Sequence, residues 1–147
     1  MTDMWPGDIE AVEMKAPVTI LKQQAALLGP KTKNLVQASV ATENSSFTII
    51  SNKPVTLGGQ FKFSFHIGAK ALQYSYRLFS ISHGLDLYPV RFYLDEDLLP
   101  DVGGGTDPKV EAKSEAELLV ILKQIFAAKK TRKIIGALLA QVGNSPS

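Results

Sequence analysis

"GQFKFSFHIGAK", residues 59–70, alternates along nearly its whole length, with Phe61, Phe63, Phe65 and Ile67 on one side and Gln60, Lys62, Ser64 and His66 on the other. A period of two marks a strand buried on one face, because successive side chains of a pleated chain point to opposite faces. The aromatic side is expected in a core and the Lys62–Ser64–His66 side toward water. The outward set holds one of only two histidines in the chain, so it must be weighed as a site as well as a wetted face.

Strand signals flank this stretch. Upstream, "NLVQASVATE" (34–43) and "SSFTIISN" (45–52) are separated by a hairpin-sized gap at Glu43-Asn44-Ser45. Downstream, "ALQYSYRLFSISH" (71–83) puts Leu72, Tyr74, Tyr76 and Leu78 opposite Gln73, Ser75 and Arg77. Its alternation then slips at Phe79 and Ile81, which a bulge near Leu78-Phe79, or burial of both faces at that end, would explain. "YPVRFYLD" (88–95) turns Val90, Phe92 and Leu94 inward and Arg91 and Tyr93 outward. Turns this short leave no room for crossover helices, so the five strands are expected to pair antiparallel.

Helical periodicity brackets the strands. Pro17 opens a stripe of Ile20, Leu21, Gln24, Ala25, Leu27 and Leu28, and Gly29-Pro30 is expected to stop it. Near the other end, Ser114 with Glu117 forms a capping box before the face Leu118, Ile121, Leu122 and Ile125. A break at "KKTRK" (129–133), with Thr131 as N-cap, leads to a last stripe of Ile134, Ile135, Leu138, Leu139 and Val142. Gly136 inside that helix suggests close packing, since glycine otherwise lowers helix stability. The predicted fold is therefore α+β: a five-stranded antiparallel sheet with one N-terminal and two C-terminal helices packed on one face. The chain reads as a single domain over 1–147, with a flexible acidic arm at 1–15, a flexible acidic Gly/Pro loop at 95–113 and a loose tail at 144–147.

Composition limits the chemistry. With 147 residues, 45% of them hydrophobic and 20% charged, the chain can bury about 68% of its unfolded surface without a metal or disulfide. It contains no cysteine, which excludes thiolate metal sites, disulfides and cysteine nucleophiles. No signal-peptide run and no stretch of 18 apolar residues is present, so a cytoplasmic, bacterial-style protein with no membrane partner is the expectation. The net charge of +2 hides a segregation. Residues 1–15 hold four acids against one base, and residues 16–94 hold eight bases against Glu43 and Asp86. Residues 95–117 hold eight acids against two bases, and residues 118–147 hold five bases and no acid. Blocks of this kind can steer an oppositely charged partner.

Each reactive constellation has a plainer structural reading. His66 reads as an ordinary exposed histidine, and no HxxxH or HExxH spacing accompanies it. In "SISHGLD" (80–86), Ser82 and His83 are strand neighbours that point to opposite faces, while Gly84 and Asp86 read as a turn. "VGGGTD" (102–107) lacks both GxxxxGK[ST] and GxGxxG. No catalytic residue, metal or cofactor is therefore assigned.

The leading expectation is a non-enzymatic protein-binding module, of the kind represented by an inhibitor or immunity-type protein that neutralises a toxin domain. Its partner would carry a basic surface, engaged by Asp95, Glu96, Asp97, Asp101 and Asp107. The alternative is nucleic-acid binding through a basic sheet face of Lys62, His66, Arg77, Arg91 and Tyr93. A third reading places a small-ligand pocket between sheet and helices, lined by Tyr74, Tyr76 and Phe79.

Overall fold

A computed structural model describes residues 2–43, 49–50, 53–54, 61–102 and 110–143. The α+β fold is as expected: a five-stranded antiparallel sheet, one helix before it and two after. The elements run α1 (Pro17–Lys31), β1 (Gln37–Thr42), β2 (Ile49–Ile50), β3 (Lys53–Pro54), β4 (Phe61–Ala69), β5 (Tyr74–His83), β6 (Val90–Leu94), β7 (Val110–Ala112), α2 (Glu115–Ala127) and α3 (Lys129–Gly143). The sheet order is β1-β4-β5-β6-β7.

Two memberships differ from the sequence reading. Of the segment expected as the second sheet strand, the described residues are Ile49 and Ile50, and they pair with Pro54 and Lys53 in a separate ribbon. The fifth sheet strand is β7, which falls inside the stretch expected to be loop. Its three residues bury Val110 and Ala112 and expose Glu111, a period-two pattern too brief to stand out among acids and glycines.

The register explains the slip in β5. Phe65 pairs with Phe79 and His66 with Arg77, which leaves Leu78 as the extra residue of a bulge. Before the bulge Tyr74 and Tyr76 oppose Ala69 and Ile67; after it Phe79, Ile81 and His83 oppose Phe65, Phe63 and Phe61. One inserted residue therefore keeps both halves of the strand on the core side. Phe65 and Phe79 stack with centroids 5.2 Å apart, and Phe92 and Phe126 extend the aromatic cluster. Gly68 permits the tight return into β5, since a Cβ there would lie 2.4 Å from the Tyr74 carbonyl oxygen.

The helices close over this face. α1 lies along β1, α2 meets β7 and α3 meets β4. α1 passes through the expected Gly29-Pro30 stop to Lys31, and the turn closes with Asn34 in left-handed backbone (φ 62°), its N–H bonded to Gly29 O at 2.7 Å. Ser114 caps α2 as expected, accepting the Glu117 N–H at 3.2 Å, while Glu117 Oε1 accepts the N–H of Lys113. Thr131 is not the N-cap of α3. It is buried in the first turn, where its hydroxyl donates to Ile125 O at 2.6 Å and ties α3 to the end of α2. Gly136 faces open space, so the close packing expected of it does not occur.

Candidate functional site

The acidic segment after β6 is anchored by its apolar residues. Leu98 and Val102 are buried in the core, and Leu99–Asp101 forms one 3-10 turn between them. This geometry aims three of the five expected partner-binding acids at the protein itself. Asp95 Oδ2 accepts the Tyr76 hydroxyl at 2.8 Å, Asp97 pairs with Lys130 at 3.2 Å, and Asp101 Oδ2 accepts the Lys129 N–H at 2.9 Å. Asp101 thus supplies the N-terminal acceptor for α3 that Thr131 does not, and its negative charge suits the positive end of the helix dipole. The bond to Asp95, and then burial, pushes the Tyr76 phenol up from 10.0 to about 12. Glu96 is exposed. Asp107 lies outside the described residues.

The polar sheet face is drier than its sequence suggests. Ser64 is 0% exposed, and Ser80 and Ser82 are also buried. Longer side chains lie across these hydroxyls: His66 Nε2 is 2.8 Å from Ser64 Oγ, and the Tyr93 hydroxyl is 3.0 Å from Ser82 Oγ. Lys62 Nζ stands 4.8 Å from the centre of the Tyr93 ring, within cation–π range. The expected nucleic-acid residues Lys62, Arg77 and Tyr93 meet around a cavity of about 180 Å³ that Asp95 also lines. His66 and Arg77 are cross-strand neighbours, while Arg91 lies further along the face opposite Ser82. Acids enter this face from both edges. Glu43 pairs with Arg77 at 3.2 Å, and Glu111 registers directly against Arg91.

The three aromatics of the small-ligand reading part company. Phe79 is in the core stack, Tyr76 holds Asp95, and Tyr74, 46% exposed, lines a groove against α3. His83 is buried between Phe61 and Phe63, and its Nδ1–H donates to Gly84 O at 2.8 Å. Its Nε2 has no hydrogen-bond partner among the described residues and lies on the opposite face from Ser82. Among the described residues no group of three or more His, Asp or Glu is placed to hold a metal ion, and no helix is long and apolar enough to cross a membrane.

One feature escaped the sequence reading. Residues 2–15, read only as an acidic arm, run outside the core and carry much of the exposed apolar bulk of the chain. Met4 is 91% exposed and Trp5, the one tryptophan, is 77% exposed; Ile9, Val12 and Met14 are exposed as well. Asp3, Asp8, Glu10 and Glu13 are interspersed among them. The arm is held at its root, where the Lys15 N–H donates to Glu115 Oε1 and Lys15 O accepts the Tyr88 hydroxyl, each at 3.3 Å. Burial, and then the charge of Glu115, raises the Tyr88 phenol above its ordinary value. A lone tryptophan among acids, without helical or strand periodicity, was the available signal. Comparison with known proteins adds no likeness, as no family model, curated protein or solved structure matches the chain.

Proposed function

We propose that the chain is a non-catalytic protein-binding module and that residues 2–14 are its contact segment. The observation that carries the reading is Trp5, 77% exposed on an acidic arm beside exposed Met4, Ile9 and Val12. Several large apolar side chains exposed on one short segment favour an interaction site, and tryptophan is enriched among residues that dominate binding energy. The interspersed acids would steer the arm toward a cationic rim, which mainly speeds association and selects partners. The fitting partner is a protein with an apolar groove edged by lysine or arginine. A basic toxin domain neutralised by this chain is the narrower version, supported by small size and charge segregation.

This reading moves the contact from the acidic loop to the arm, because Asp95, Asp97 and Asp101 already have internal bonds. Nucleic-acid binding through the sheet face is the weaker alternative, since Glu43 and Glu111 offset the charge of Arg77 and Arg91. The test is capture of proteins from cell extract, with and without nuclease treatment, on immobilised full chain and on its Trp5→Ala variant. A stoichiometric protein retained by the full chain and lost with Trp5→Ala is the expected result. Retention indifferent to Trp5, or capture abolished by nuclease, overturns the arm as the contact.

A further inference from the structure

The molecule itself carries a groove of the kind its arm would fit. Leu72, Tyr74, Ile134 and Leu138 line a depression of about 400 Å³ between α3 and the β4–β5 connection, with Lys130 and Lys133 at its edge. Lys129 and Arg132 stand on the same helix turn. Apolar lining with a cationic edge matches exposed apolar residues interspersed with acids. Resting on the arm as contact segment, we propose that two copies of this chain exchange arms, residues 2–14 of each lying in the α3 groove of the other.

Geometry favours exchange between copies over folding back. The arm leaves beside Tyr88 and Glu115, at the end of the sheet where His83 pairs with Val90. The groove is at the opposite end, beside Tyr74. The length of β5 separates them, about 30 Å at strand rise. Ten residues from Lys15 to Trp5 span at most about 35 Å when fully extended, and a turn at 7–8 shortens that reach. Seating Trp5 in its own groove would demand a nearly straight course across the helix layer. In a two-fold pair each arm leaves toward the other molecule, both grooves are filled, and the assembly closes. Lys130 already pairs with Asp97 at 3.2 Å in an exposed contact, so an incoming acid adds to that pair and meets Lys133 directly.

Sedimentation equilibrium of the full chain, from low micromolar to near-millimolar concentration, tests the exchange. The wild type is expected to approach a dimer. Trp5→Ala should weaken dimerisation by more than about tenfold, the scale of a buried tryptophan anchor. Two charge-reversed chains sharpen the test: Asp8→Lys with Glu10→Lys in the arm, and Lys133→Glu with Ala137→Glu at exposed α3 positions. Each alone should be monomeric, and an equimolar mixture should form a heterodimer, because both of its arm–groove contacts then pair opposite charges. The mixture also shows that neither variant has lost its fold. A full chain monomeric throughout, a dimer that survives Trp5→Ala, or a mixture that stays monomeric overturns the proposal. If the chain is monomeric yet captures another protein through Trp5, exchange fails while the arm remains the contact. If Trp5 affects neither, both readings fail.

Discussion

Replacing Asp101 by alanine removes the carboxylate that receives the first N–H of α3 from across the chain. The bond is 2.9 Å long, and Asp101 is held in place by a 3-10 turn flanked by buried Leu98 and Val102. Loss of an N-terminal acceptor costs roughly 1 kcal/mol, with a range of about 0.5–2 kcal/mol. The charge acting on the helix dipole accounts for about 0.3–1 kcal/mol of that kind of effect. Asp101→Asn keeps an acceptor of the same shape and removes the charge, so it should lose only the smaller part. For a chain of this length, 1 kcal/mol corresponds to a fall in Tm of about 3 °C. Urea unfolding followed by circular dichroism should rank wild type above Asp101→Asn and Asp101→Ala last, with an unchanged m-value. Asp97→Ala is the control: it breaks the exposed pair with Lys130 and should cost between about 0 and 1 kcal/mol. If Asp101→Ala unfolds at the wild-type midpoint, the segment after β6 does not clamp α3.

Three further substitutions probe other elements. Gly136→Ala should stabilise the chain by about 1 kcal/mol, because the position is helical and its Cβ would meet open space; an unchanged or lower Tm contradicts this. Gly68→Ala should destabilise by about 1–3 kcal/mol, since its Cβ would meet the Tyr74 carbonyl oxygen, a backbone atom that cannot rotate away; a midpoint within error of wild type refutes that packing. Tyr76 keeps its proton to about pH 12 against an ordinary 10.0, so its contribution to stability is complete below pH 10 and lost as pH rises through about 12. Ultraviolet titration should show a late tyrosinate step that vanishes in Tyr76→Phe and moves back toward 10 in Asp95→Ala; a late step unchanged in both assigns it elsewhere.

The fold was legible where periodicity was long. The alternation of β4, the slipped alternation of β5 and the stripe of α2 each span enough residues to give direction to a core. The slip in β5 was visible because Phe79 and Ile81 break the alternation, and both explanations of it hold: a bulge falls at Leu78, and Leu78–His83 is buried on both faces. β7 could not, since three residues give only one repeat of a period of two. Nor could the partner of β1 be read, because pairing is set across the chain and both neighbouring segments carry strand composition. At the candidate sites the charges were legible but their internal partners were not. Asp97 and Lys130 are 33 positions apart, Asp101 and Lys129 are 28 apart, and Arg77 and Glu43 are 34 apart. Leu98 and Val102, four residues apart in the acidic segment, were the available sign that it would be pinned down. Trp5 was visible throughout, yet only its exposure separates a docking residue from a core residue.

The arm, the acidic segment and the sheet face can be compared in a single experiment. A photo-crosslinking amino acid placed at Met4, which leaves Trp5 in place, or at Glu96 or Arg91, all of them exposed, reports which surface meets a macromolecule in the living cell. The account predicts a discrete protein adduct from position 4, and none from positions 96 or 91. An adduct from position 96 or 91 with none from position 4 would contradict it.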